Sequence, residues 1–324
     1  MMDEISVIKR PRLKDPYLIA AWPGMGEVAF KAAKYLVEKL KCQEFARMPE
    51  RDFFYATSSV VKKGVLTVPE LPQGKFYFWK NPSAGSDMII FVSNAQPDLA
   101  KAQIYCEMII DFAKSFKIKT AISFAAMPQP IDHTQDSAAW FTATTAELNN
   151  RLKDHNLKRI NDGQITGMNG LFLGLAKKGG LEGFCLLGEI PIYAIQIENP
   201  KASLAVLSAL ARILRIKIDL TTLISQGQIM EGQINKLFQY LKLGAPDAPI
   251  GEEEIEKIKK SLSQLTKLPV SMKEKIERMF EEADTDISRA NELKSELDKW
   301  NVYNEYEDRF LDLFKKKQDR DKSN

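Results

Sequence analysis

The residues best suited to chemistry gather at turns. Gly24-Met25-Gly26-Glu27-Val28-Ala29 satisfies the pattern G-x-G-x-x-[GA], in which glycines let a pyrophosphate reach the start of a helix. Glu27 sets a carboxylate where those phosphates would lie, and the leading Pro23 is foreign to the pattern. No acidic residue is well placed to end a second strand: Glu44 comes too early and Glu50 matches only loosely. The same six residues also read as a tight strand-to-helix turn that needs a positive φ. A second turn, Ile165-Thr166-Gly167-Met168-Asn169-Gly170, could offer free N–H groups to a carboxylate or phosphate. It could equally let the helix that begins Leu171-Phe172 pack closely on a sheet. Gln96 and Glu189 follow strand-like runs, and α/β proteins build pockets at strand ends. The candidate ligand-binding residues, for a small anionic ligand, are therefore Gly24, Gly26, Gln96, Gly167, Asn169, Gly170 and Glu189. No residue stands out as catalytic.

Of the two histidines, His133 sits in Pro128-Gln129-Pro130-Ile131-Asp132-His133 and reads as a surface loop residue. An Asp adjacent in sequence does not orient a histidine as a triad requires, and no Ser or Cys elbow accompanies it. His155 reads as a favourable cation at a helix C-terminus. Cys42, Cys106 and Cys185 are odd in number, far apart and set among apolar neighbours, which argues against disulfides and fits a reducing compartment. No His, Cys or carboxylate set has metal-ligand spacing. Neither a metal nor a cofactor is expected.

These residues must be held by a body of ordinary globular composition. The chain has 324 residues, 44% hydrophobic and 27% charged, with 46 Lys and Arg against 43 Asp and Glu, a net charge of +3. That balance leaves no electrostatic footprint for nucleic acid. The first residues, Met1-Met2-Asp3-Glu4-Ile5, lack the basic start and apolar stretch of a signal peptide, and no apolar run approaches membrane-spanning length. A cytoplasmic protein without membrane partners is expected.

Apolar runs at Tyr17–Trp22, Phe53–Thr57, Gly64–Val68, Phe76–Trp79, Met88–Ser93, Thr120–Phe124, Phe184–Leu187 and Tyr193–Ile197 predict strands. Helical spacing predicts helices after Gly26, over Leu99–Phe116, Gly170–Lys177, Ala202–Leu214 and Leu220–Leu241. Buried strands alternating with amphipathic helices argue for an α/β class. Strands between Phe53 and Trp79 without helices imply mixed pairing. Residues 1–243 form this body, residues 244–250 a Pro/Ala/Gly linker, and residues 251–324 a charge-dense helical tail. In the tail, Ile255, Ile258, Leu262 and Leu265 make a short stripe, and Ser271-Met272-Lys273-Glu274 reads as a capping box. Ile276, Phe280, Ile287, Leu293, Leu297 and Trp300 recur at steps expected of a coiled-coil interaction seam, as a helical hairpin or one long helix.

The run Leu18-Ile19-Ala20-Ala21-Trp22-Pro23-Gly24-Met25-Gly26 resembles the opening of the proteasome assembly chaperone 2 family. Gln96-Pro97, Gly167 to Gly174, Leu186-Leu187-Gly188-Glu189-Ile190-Pro191 and the helix from Ala205 to Leu210 follow in that family's order. The resemblance implies a three-layer α/β/α sandwich akin to purine nucleoside phosphorylases, present as a homo-oligomer. It implies protein partners, related to the proteasome, and no established catalytic residues. Archaeal relatives that dock on the proteasome end in a hydrophobic-Tyr-any residue motif, whereas this chain ends Lys322-Ser323-Asn324, so docking through the tail is not expected. Two functions follow: a protein-interaction module or assembly chaperone, or an enzyme of phosphorylase or hydrolase type with its ligand at the glycine-rich turns. The lack of a nucleophile, a base or a metal set favours the first.

Overall fold

Runs of residues apolar on both faces make the central strands, and shorter half-polar runs make the edges. The computed structural model describes residues 4–56, 58–243, 270–300 and 302–321. Its strands are β1 (Ser6–Val7), β2 (Tyr17–Ala21), β3 (Gln43–Arg47), β4 (Val60–Lys62), β5 (Val65–Thr67), β6 (Gly74–Trp79), β7 (Met88–Ser93), β8 (Thr120–Gln129), β9 (Ala139–Ala143), β10 (Lys158–Arg159) and β11 (Glu182–Pro191). The helices are α1 (Val28–Lys39), α2 (Ala102–Lys114), α3 (Ala146–Leu152), α4 (Met168–Lys178), α5 (Pro200–Leu214), α6 (Thr221–Leu243), α7 (Val270–Thr285), α8 (Ala290–Lys299) and α9 (Tyr303–Asp321).

Among the described residues nine strands form one mixed sheet in the order β1-β3-β6-β7-β2-β8-β11-β9-β10. β2 runs parallel to β7 and β8, while β6 is antiparallel to both β7 and β3. The β6–β7 connection is short, and an antiparallel pair needs no more than that. Alternation along the strands assigns the faces. Leu18, Ala20, Phe76, Phe78, Ile89 and Phe91 join one buried cluster with Tyr105, Ile109 and Phe172 from α2 and α4. Ile19, Ala21 and Ile90 point the opposite way and are fully buried, and α1 packs on β2, β7 and α5. The cluster is rich in rings: Phe76 lies 4.8 Å from both Phe91 and Phe112.

Two expected strands are absent among the described residues. Phe53 and Phe54 are buried but belong to a turn, and Tyr193 falls in a single turn of 3-10 helix, Ile192–Ala194. β4 and β5 form a separate two-stranded hairpin with Val61 opposite Leu66. Val61, Leu66 and Val68 are 63%, 68% and 73% exposed.

The chain divides into two compact units. The first comprises Met1–Met127, Asp136–Ile190 and Ile197–Met230, and the second Pro128–Gln135, Pro191–Gln196 and Glu231–Asn324. The expected linker 244–250 and the stripe from Ile255 to Leu265 lie outside the described residues. The expected seam from Ile276 to Trp300 does not run along one continuous helix, since it is broken near Asp286. α7 ends at Thr285, and Asp286, with extended backbone angles, accepts from the Ser288 N–H to cap a new turn. Asp and Ser compete with the helix backbone in this way and favour caps over helix interiors. α7 is already helical at Ser271, ahead of the expected capping box. Ile276, Phe280, Leu293, Leu297 and Trp300 are buried, whereas Ile287, in the interrupting turn, is only partly so. α7, α8 and α9 pack on one another. Phe280 stacks on Tyr306 at 5.7 Å, and Arg309 crosses the Phe280 ring at 4.3 Å.

Candidate functional site

Because β2 and β7 are adjacent and parallel, the turns that leave their C-terminal ends lie side by side, and the start of α4 joins them. The Asn169 side chain, 6% exposed, pairs with the backbone of Trp22. Its Oδ1 accepts from the Trp22 N–H at 3.0 Å, and its Nδ2 donates to the Trp22 carbonyl at 3.2 Å. A side-chain amide thus takes the place of a neighbouring peptide group where the strand ends. Gln96 Nε2 donates to the Pro23 carbonyl at 2.8 Å. Gly24 faces Asn169 and Gly167 faces Gln96 closely enough that an added Cβ would touch each amide. A Cβ at Gly170 would overlap the Ile165 carbonyl, so the α4 turn closes only with glycine there.

Gly26 has φ +58°, a region that favours glycine, and a Cβ there would press on Val28 at 3.3 Å and touch Ile190 and Asn199. The Gly26 carbonyl accepts from the Asn199 N–H at 2.9 Å. Asn199 in turn caps α5 through its own Oδ1, which accepts from the Ala202 N–H at 2.9 Å. Sequence reasoning passed over Asn199, although Asn followed by Pro200 is a helix-start signature. Glu27 follows with φ +52°. Burial pushes its carboxyl up, Glu198 adds to the rise, and Lys31 opposes it.

Six of the candidates, Gly24, Gly26, Gln96, Gly167, Asn169 and Gly170, are therefore brought together. The side chains of Asn169 and Gln96 are engaged with backbone groups of neighbouring turns. Such an arrangement joins three chain segments. A buried amide clasp of this kind orders a turn.

Glu189 stands apart, on β11. It is 4% exposed and accepts from Trp140 Nε1 at 2.7 Å, Lys158 Nζ at 2.7 Å and the Ala138 N–H at 3.1 Å, tying together β9, β10 and β11. Burial alone would raise its carboxyl, but the hydrogen bonds from Lys158, Trp140 and Ala138 outweigh it and hold the group below its ordinary value of 4.5. A carboxyl lowered by folding contributes stability above its unfolded pKa, lost as pH falls through the folded one. Glu189→Gln is expected to lower stability at pH 7 by roughly 1–2 kcal/mol, discounted because Lys158 is half exposed. In thermal unfolding followed across pH, the gap between wild type and variant should narrow as pH drops below 4.5. A gap independent of pH would mean that the carboxylate charge contributes nothing.

His133 is buried, 4% exposed, which corrects its reading as a surface residue. Its Nδ1 lies 2.8 Å from the Tyr193 hydroxyl and its Nε2 2.8 Å from Asn235 Oδ1. Phe238 flanks the ring at 5.6 Å. Both ring nitrogens are thus engaged by residues distant in sequence. The thiols of Cys42, Cys106 and Cys185 are pushed up to about 12 by burial, so none is a thiolate near neutral pH. Among the described residues no group of three or more His, Cys, Asp and Glu could hold a metal ion, and no helix is long and apolar enough to cross a membrane.

Residues 18–238 match the model of the PAC2 family. A curated relative, Uncharacterized protein MJ1210 of Methanocaldococcus jannaschii, is 30% identical over 252 residues, covering 76% of this chain and 93% of the relative. Among solved structures, Pyrococcus furiosus PbaB, described as an archaeal proteasome activator, is 29% identical with a TM-score of 0.63, over 72% of this chain and 97% of that one. Pyrococcus furiosus PbaA, described as an archaeal homolog of proteasome-assembly chaperone, shares the fold at 21% identity and a TM-score of 0.58, over 82% of this chain and 100% of that one.

Proposed function

Because the chain belongs to the PAC2 family, we propose that it is a cytoplasmic protein-interaction module or assembly chaperone, working through a homo-oligomeric three-layer α/β/α body of purine nucleoside phosphorylase-like form. The observation that carries this reading is the β4–β5 hairpin. It places Val61, Leu66 and Val68 in solvent, and apolar side chains grouped in this way mark contact surfaces more often than they mark chemistry. A two-stranded ribbon is also marginal by itself and gains stability when another chain covers it. The amide clasp at the strand ends supports the same reading, since its polar side chains are occupied by the protein's own backbone. PbaB, an archaeal proteasome activator, and PbaA, an archaeal homolog of proteasome-assembly chaperone, make proteasome subunits the partners to test first.

The experiment is sedimentation velocity at micromolar concentration, alongside capture of proteasome subunits from the native host. Wild type is expected to sediment as an oligomer and to retain a subunit. Leu66→Glu is expected to lose one or both while keeping its thermal midpoint, because the side chain it replaces is already exposed. A strict monomer that captures nothing, with Leu66→Glu indistinguishable from it, would sink the reading.

A further inference from the structure

A cleft of about 240 Å³ opens between α1 and the ends of β6 and β7, and none of its lining residues belongs to the amide clasp. Phe30 from α1, Val92 from β7 and the ring of Tyr77 from β6 give it apolar walls. Its two ionised lining residues, Lys34 and Lys75, are both cationic. Lys34 has no ion pair among the described residues. Lys75 has Glu44 at 3.8 Å, and that carboxylate is shared with Arg47. Asn94 completes the set: its Oδ1 accepts from the Gln73 N–H at 2.7 Å, which leaves the amide N–H₂ as a donor. Burial and the nearby Glu44 push the Tyr77 phenol up, with Arg47 opposing, so it too remains a donor.

The lining therefore combines apolar walls with two ammonium groups and neutral donors, and no anion. We propose that this cleft binds a small carboxylate carrying an aromatic or branched apolar body. The volume is below the roughly 300–1,000 Å³ of sites for drug-sized ligands, which limits the body to about one ring. Two lysines, one partly offset by Glu44, suit a single negative charge better than a phosphate dianion. Dianions are more often met by arginine forks or backbone nests.

The test uses the full chain and 3-(4-fluorophenyl)propionate, with binding read from broadening of the fluorine resonance. Binding in the millimolar range is expected. Lys34→Gln and Lys75→Gln should each weaken it about threefold, and the double variant about tenfold. The uncharged amide, 3-(4-fluorophenyl)propanamide, should bind the wild type about as weakly as the acid binds the double variant. Lys178→Gln, at the end of α4, should change nothing. No broadening at about 10 mM acid, equal binding of acid and amide, or full binding by the double variant would overturn the proposal. Tighter binding of 4-fluorophenyl phosphate than of the acid would overturn its assignment to carboxylates.

Discussion

Leu293→Asp is expected to unfold the tail helices α7, α8 and α9 while leaving the body's unfolding transition in place. Leu293 is fully buried on α8, among a set that includes Ile276, Phe280 and Leu297 on α7 and α8. Placing a carboxylate there removes a packed apolar side chain and buries a charge with no partner, which costs at least about 3 kcal/mol. Three short helices carry only a few kcal/mol between them, so the whole unit should be lost rather than strained. Trp300 is the tail's own reporter, since it is buried there, while Trp22, Trp79 and Trp140 belong to the body. A red shift of Trp300 fluorescence, with Trp22, Trp79 and Trp140 replaced by Phe, should accompany a drop in helical ellipticity. Ile287→Asp makes the contrast: its side chain lies in the turn between α7 and α8 and is only partly buried, so it should cost under about 1 kcal/mol. Equal damage from both variants would restore a continuous seam through Ile287 and contradict the interruption at Asp286.

Asn169→Leu is expected to cost roughly 2–4 kcal/mol, because the Trp22 N–H and carbonyl then lose their partner in a buried place. For a body of this size that is a fall of about 5–12 °C in the midpoint. Asn169→Asp separates hydrogen bonding from shape. A carboxylate can still accept from the Trp22 N–H, but it repels the Trp22 carbonyl unless it is protonated. Its folded pKa should therefore be raised, giving stability that is present at low pH and lost as pH rises through that value. If Asn169→Leu leaves the midpoint unchanged, the amide is not what holds the turn. Gln96→Ala, at an exposed hydrogen bond, should cost under about 1 kcal/mol.

The legible parts of the fold were those whose neighbours in sequence already report burial. β2, β7, β8 and β11 carry apolar residues on both faces, and short apolar runs bounded by turn residues suit buried strands better than helices. β3 was missed because Gln43, Glu44 and Arg47 surround the buried Phe45 and Ala46: a strand near the sheet edge needs little apolar surface. Tyr193–Ile197 has strand-like composition, but the Tyr193 hydroxyl meets His133, which is 60 residues away in sequence. No local window could show that partner, and the same long reach hid the burial of His133. At the candidate site the glycine turns were legible, since Gly26 has a positive φ and Gly170 stands where close approach of the Ile165 carbonyl forbids a side chain. What Asn169 and Gln96 do was not legible, because both act on backbone groups, which every residue carries. No motif singled out Lys34 or Lys75; only the fold brings them, from α1 and β6, to one cleft.

The Asn169 clasp also bears on the order of events during folding. Asn169 and Trp22 are 147 residues apart in the chain, and closing so long a loop is entropically unfavourable until intervening contacts have shortened it. β2, β7 and the start of α4 must already be docked before the amide meets its peptide. The clasp is then expected to close late, and interactions absent from the transition state slow unfolding without hastening folding. The strand-end turn thereby acts as a latch on the finished body: it governs how long the native state persists rather than how fast it is reached.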